Sequence, residues 1–80
     1  MATVKVRLFA ALRDAAGTAE ITVQAATLAE VRAQLSERFG PTFTARLERS
    51  RAWVGGLDVA LDHALSDGDE VAILPPFAGG

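Results

Sequence analysis

The chain contains no cysteine. That absence excludes disulfide staples, thiolate zinc sites and iron–sulfur clusters. Any sulfur chemistry here must use sulfur brought from outside. Histidine occurs once, as His63, so a histidine-based metal site has no second ligand of its own kind. No apolar run is long enough to span a bilayer. No basic segment leads into a short apolar stretch near the start, so no secretion signal is expected and a cytoplasmic location is. A net charge of −2 argues against nucleic acid as the main partner.

What is present is the composition of one small globular domain: 80 residues, half of them apolar and 22% charged. A core of this size gives only about 3–5 kcal/mol of stability, so a partner would be useful. Charge is unevenly placed. Residues 1–51 hold all eight basic residues and five acidic ones, a net of +3. Residues 52–80 hold only Asp58, Asp62, Asp67, Asp69 and Glu70, a net of −5. Such a segment would be steered toward a basic surface; the plain alternative is an ordinary solvated acidic face.

Two periodicities organise the chain. Val4, Val6 and Leu8 alternate with Lys5, Arg7 and Phe9, the pattern of a half-buried strand. Ile21 and Val23 repeat it among Glu20, Thr22 and Gln24, with Arg13 to Thr18 read as a loop between them. Thr27 and Glu30 form a capping box, and Leu28, Val31, Leu35 and Phe39 make the apolar stripe of a helix. Gly40-Pro41 stops it, and Phe43 and Leu47 suggest a short second helix. Arg51 to Val54 reads as a strand, Gly55-Gly56 as a turn, and Asp58 to Ala60 as a short fourth strand. Ser66-Asp67-Gly68-Asp69 is a turn with Asx bonding. Glu70 to Leu74 is a nearly continuous apolar strand, as a central strand would be, ended by Pro75-Pro76. The order predicts an α+β fold of the β-grasp (ubiquitin-like) kind. It has a mixed four- to five-stranded sheet, one main helix across it and a short second helix. Residues 1–74 form the domain, and 75–80 an extended C-terminal tail.

That tail is the chemically distinctive part. Pro75, Pro76, Phe77 and Ala78 precede Gly79-Gly80, so the last carboxylate has no side chain beside it. Two glycines let the chain enter a narrow slot and expose a bare acyl group. Chance places such a pair at one fixed spot roughly once in 200. Phe77 suits anchoring in a partner's pocket; folding back onto its own domain is the alternative. Phe9, Leu61 and Leu74 are candidates for a contact patch. Asp69 and Glu70 belong to the acidic stretch that would meet the partner, and their turn setting does not match a calcium loop. Ser36, Ser50 and Ser66 have no His–Asp partners for nucleophilic catalysis. The reactive group left is the carboxylate of Gly80, a poor acyl donor until it is activated.

Leu8-Phe9-Ala10, Arg13 and Gly17, and above all the block from Leu65 through Asp67-Gly68-Asp69-Glu70-Val71 to Pro75-Pro76 and Gly79-Gly80, resemble the MoaD family. Its members are small sulfur-carrier subunits of molybdopterin synthase within the ThiS/MoaD β-grasp superfamily. The resemblance spans essentially the whole chain. A Val-Asn-Gly type of turn, common in that family, is replaced here by Val54-Gly55-Gly56. The resemblance implies a subunit with no catalytic residues and no bound cofactor. Its Gly80 would pass through two transient forms, a glycyl adenylate made from ATP and 1-thioglycine. An ATP-dependent, MoeB-like adenylyltransferase and a sulfurtransferase would act on it. A MoaE-type large subunit would receive the tail in a heterotetramer, Gly79 and Ala78 threading behind Gly80 and Phe77 making a tail contact. Sulfur would pass to cyclic pyranopterin monophosphate in molybdenum cofactor biosynthesis. Neither nucleic acid nor membrane is an expected partner. Sulfur carriers of the ThiS or CysO type, for thiamine or cysteine synthesis, and ubiquitin-like modifiers joined to lysines are the alternatives.

Overall fold

A computed structural model describes residues 1–74. The elements are β1 (Ala2–Leu8), α1 (Ala10–Ala16), β2 (Glu20–Ala25), α2 (Leu28–Leu47), β3 (Arg51–Val54), β4 (Leu57–Asp58) and β5 (Glu70–Leu74). One sheet holds all five strands in the order β2-β1-β5-β3-β4. β1 and β5 run parallel, with Leu8 beside Ile73; β1–β2, β3–β5 and β3–β4 are antiparallel. This is the β-grasp arrangement.

Strict alternation along β1 and β2 sends one row of side chains inward and the next outward, which is the geometry of a sheet covered on one face. Val4, Val6, Leu8, Val71 and Ile73 point inward and meet Leu28, Val31, Leu35, Phe43 and Leu47 of α2 in one core. Each such side chain, fully buried, contributes about 1.5–3 kcal/mol against conformational entropy. The outward row (Lys5, Arg7, Glu20, Glu70, Arg51) forms the open face of the sheet, where Trp53 is half-buried in register with Ala72 and Asp58.

The capping box at the start of α2 is present with one shift. The Glu30 N–H donates to the Thr27 hydroxyl oxygen at 3.3 Å. The Glu30 carboxylate accepts from the Ala26 N–H at 3.2 Å, one residue before the cap. At Gly40 (φ 85°, ψ −173°) α2 breaks, and a second helical segment follows from Pro41 to bury Phe43 and Leu47. Pro41 fits because the first residue of a helix needs no N–H partner. The rings of Phe39 and Phe43 meet across the break at 5.0 Å.

Two expectations are corrected. The stretch from Arg13 to Ala16, read as loop, belongs to helix α1. Its alanines favour helix, the Phe9 carbonyl accepts from the Leu12 and Arg13 N–H groups, and Leu12 is completely buried. Gly17 ends it in the left-handed conformation, leaving Thr18 outside. The fourth strand is Leu57–Asp58, not Asp58 to Ala60. Positive φ at both Gly55 and Gly56 makes a two-residue hairpin turn, and pairing restarts at once. No helix among the described residues is long and apolar enough to cross a membrane.

Candidate functional site

Pro75, Pro76, Phe77, Ala78, Gly79 and Gly80 lie outside the described residues. What the structure gives is the place they leave from. Leu74 is the last residue of β5, which lies between β1 and β3. A strand hydrogen-bonded on both sides is a rigid base for whatever follows it.

The turn before β5 sets that base. The Asp67 carboxylate accepts from the Thr3 N–H at 2.7 Å, and the Asp69 carboxylate accepts from the Ser66 N–H at 2.8 Å. Gly68, at φ 88°, supplies the positive angle, and its N–H donates to the Thr3 carbonyl. The turn is thus clipped to the start of β1, which fixes the parallel register of the two strands.

That register brings together residues far apart in sequence. One step beyond the Leu8–Ile73 pair, Phe9 stands beside Leu74. Phe9 is still extended (φ −126°, ψ 152°), so its ring takes the face opposite to buried Leu8, the open face of the sheet. Phe9 and Leu74 are each 37% exposed. A shallow concavity lined by Arg7, Leu8, Phe9, Arg13, Ala19 and Glu20 opens next to them. Arg51 lies directly across from Leu74 on the other side. Around the point where the chain leaves the sheet the structure therefore places an apolar pair, with Arg7, Arg13 and Arg51 on the flanking elements.

The guanidinium groups have carboxylate neighbours. Arg7 Nε is 3.5 Å from Glu20 and 3.4 Å from Glu70. Arg51 Nε is 3.2 Å from Asp58, and Arg13 Nε is 3.9 Å from Asp14. These pairs are all solvent-exposed, so each is worth about 0–1 kcal/mol. They also engage the acidic C-terminal third internally. Asp58 and Glu70 face arginines, Asp67 and Asp69 hold the turn, and Asp62 makes no hydrogen bond or ion pair among the described residues.

Other sequence candidates lie elsewhere. Asp69 and Glu70 stand at the beginning of β5, about 13 Å from Leu74. Leu61, half-exposed, is at the opposite end of the molecule, its carbonyl accepting from the Ala29 N–H at the start of α2. Leu61 is therefore not beside Phe9 and Leu74. Exposed Leu57, which the sequence reading did not single out, lies off the Val71 end of β5 and not the Leu74 end. Sequence reasoning also missed Arg7, Arg13 and Arg51 around the exit. Nothing local signals them, because the pairing of β1 and β3 with β5 creates the cluster. No His, Asp or Glu grouping with metal-binding geometry occurs among the described residues, and no polar or charged side chain there is buried.

Comparison with known proteins fits this geometry. The ThiS family model matches residues 6–80. The molybdopterin synthase sulfur carrier subunit of Escherichia coli is 35% identical over 81 residues, covering 96% of this chain and 99% of that protein. The solution structure of small archaeal modifier protein 1 from Methanosarcina acetivorans superposes with a TM-score of 0.89 at 31% identity, covering 100% of this chain and 98% of the other. A chain in the complex of subunits 1 and 2 of the molybdopterin-converting factor from Helicobacter pylori superposes at 0.75 with 28% identity, covering 98% and 99%.

Proposed function

The chain belongs to the ThiS family, a sulfur carrier of the ThiS/MoaD type, and on that premise we propose that it is the sulfur-donating small subunit of a molybdopterin synthase. The observation that carries the choice of pathway is the end-to-end similarity to the Escherichia coli sulfur carrier subunit, 35% identical over 96% of this chain.

The chemistry centres on the Gly80 carboxylate. A carboxylate oxygen attacks the α-phosphorus of ATP on an adenylyltransferase, pyrophosphate leaves, and a glycyl adenylate forms. A persulfide sulfur from a sulfurtransferase then attacks the acyl carbon. AMP departs with the ester oxygen, and a second thiol attacks the donor sulfur of the resulting acyl disulfide, forming a disulfide with the donor and leaving the thiocarboxylate, 1-thioglycine. The tail delivers this group to cyclic pyranopterin monophosphate inside a MoaE-type large subunit. The chain supplies presentation: a rigid central strand, an exposed Phe9–Leu74 pair at its end for the large subunit to cover, and Gly79 and Ala78 to pass a narrow slot. Phe77, Pro76 and Pro75 complete the contact. In Helicobacter pylori the corresponding two subunits form a protein–protein complex, which supports a large-subunit partner here.

Co-expression with a MoeB-like adenylyltransferase and a sulfurtransferase is expected to raise the intact mass by the difference between sulfur and oxygen. Added large subunit and cyclic pyranopterin monophosphate are then expected to yield molybdopterin. An unchanged mass while pyrophosphate is released would overturn the carrier reading. A thiocarboxylate that no large subunit accepts would overturn the pathway. The likeness to an archaeal modifier protein favours one second reading, transfer of activated Gly80 to lysines of other proteins. It predicts isopeptide-linked conjugates in the same co-expression.

A further inference from the structure

We propose that the Thr18 and Gln34 side chains guard the free edge of β2, closing it against pairing with the same strand of a second copy of this chain.

β2 is the outer strand at one side of the sheet and, among the described residues, pairs only with β1. Along an antiparallel strand, successive residues turn their backbone groups toward the partner and away from it in alternation. The Leu8 N–H donates to the Ala19 carbonyl at 2.8 Å. Followed along the β1–β2 register from that pair, Ile21, Val23 and Ala25 bond to β1, and Glu20, Thr22 and Gln24 turn their N–H and C=O groups outward. Their opposite residues on β1 agree. The Lys5 N–H donates away from β2 to the Asp69 carbonyl, and the Thr3 carbonyl accepts from the Gly68 N–H. A row of outward backbone groups is a template for another strand.

Side chains occupy much of that row. At one end the Thr18 hydroxyl accepts from the Glu20 N–H at 3.4 Å and donates to the Glu20 carbonyl at 3.1 Å. At the other end Gln34 reaches over from α2, and its Nε2 donates to the Gln24 carbonyl at 2.6 Å. Just beyond, the Ala26 N–H donates to the Glu30 carboxylate and the Ala26 carbonyl accepts from the Leu65 N–H. Between the guards, Thr22 keeps both its groups open among the described residues, and Gln24 keeps its N–H.

Without these contacts, β2 itself would not resist self-pairing. It has no proline, no lysine and no bulge, the features that commonly blunt an edge. Ile21, Thr22 and Val23 favour extended structure. In an antiparallel pair of β2 strands centred on Thr22, Thr22 would meet its own copy, Glu20 would meet Gln24, and Ile21 would meet Val23. No like charges oppose each other, and the apolar rows join on one face. Facing residues of this kind exchange both N–H···O bonds. An open edge would form such bonds at Glu20–Gln24, at Thr22 and at Gln24–Glu20. With the guards in place the Thr22 pair alone remains. The opposite edge of the sheet is blunt for another reason: β4 is two residues long, too short to serve as a template.

The test removes the guards and keeps their shapes. In the full-length chain, Thr18→Val and Gln34→Met together delete the hydrogen-bonding groups at little change in size, and Met suits a helix. Self-association is read by sedimentation over a range of concentrations. The native chain is expected to stay monomeric. The double variant is expected to dimerise at least about 30-fold more tightly, through the bonds regained at Glu20 and Gln24. Amide hydrogen exchange at Thr22 and Gln24 is expected to slow in the dimer. Adding Thr22→Lys sets two like charges directly opposite each other in the pair and is expected to restore the monomer. If the double variant does not fold, Gln34→Met alone is expected to shift association the same way by about 5-fold. A folded variant that associates no more tightly than the native chain would overturn the proposal. So would association that Thr22→Lys leaves in place, or a native chain already paired through Thr22.

Discussion

Ala10 has φ 50°, the only positive value outside glycine among the described residues. It stands at the corner where the chain leaves β1, past Phe9, and enters α1. A left-handed angle costs a residue with a Cβ about 1–2 kcal/mol, and the fold bears this because buried Leu12 and the Phe9 carbonyl hold α1 in place. Ala10→Gly is therefore expected to stabilise the domain by about 1 kcal/mol and raise its melting temperature by about 4 °C in a thermal melt; an unchanged or lower melting temperature would mean that the corner is unstrained. Gly68 is the converse case. At φ 88°, with open space where a Cβ would go, Gly68→Ala meets a conformational penalty and no steric clash. It is expected to lower stability by about 1 kcal/mol, read from a urea melt.

Among the elements, α1 and α2 differ in what makes them helical. The first half of α2 carries its own instructions, a reciprocal cap and an apolar stripe with matched spacing. Its continuation past Gly40 depends on Phe43 and Leu47 reaching the core. With seven residues and no side-chain cap, α1 is too short to be stable alone. Burial of Leu12 holds it. Leu12→Ala is expected to cost about 2–5 kcal/mol, close to the whole stability of a domain this small, and circular dichroism is expected to show loss of the fold at 37 °C. Thr27→Ala removes only the cap and is expected to cost about 1 kcal/mol with the fold retained.

At the scale of the molecule, the described domain ends at Leu74, and the proposed chemistry lies on residues 75–80. Deleting Gly80 is expected to leave the thermal melt unchanged and to abolish sulfur transfer; a deletion variant that still takes up sulfur in an intact-mass measurement would contradict the assignment of the carrier residue. The sequence by itself determined whatever depends on near neighbours. Alternation at Val4, Val6 and Leu8, and again at Ile21 and Val23, marked the strands. Thr27 and Glu30 started the main helix, and the Asp67-Gly68-Asp69 turn placed β5. The Gly79-Gly80 pair is where the proposed chemistry lies. These signals are local because rotamers, caps and turns are settled within a few residues. Only the tertiary structure decided what lies around the exit. Pairing of β1 with β5 joins residues some 65 positions apart in the chain. It sets Phe9 beside Leu74, leaves Leu61 at the far end, and brings together the elements that carry Arg7, Arg13 and Arg51. No local pattern encodes that gathering. It follows from closing long loops, an entropic cost that the shared core offsets.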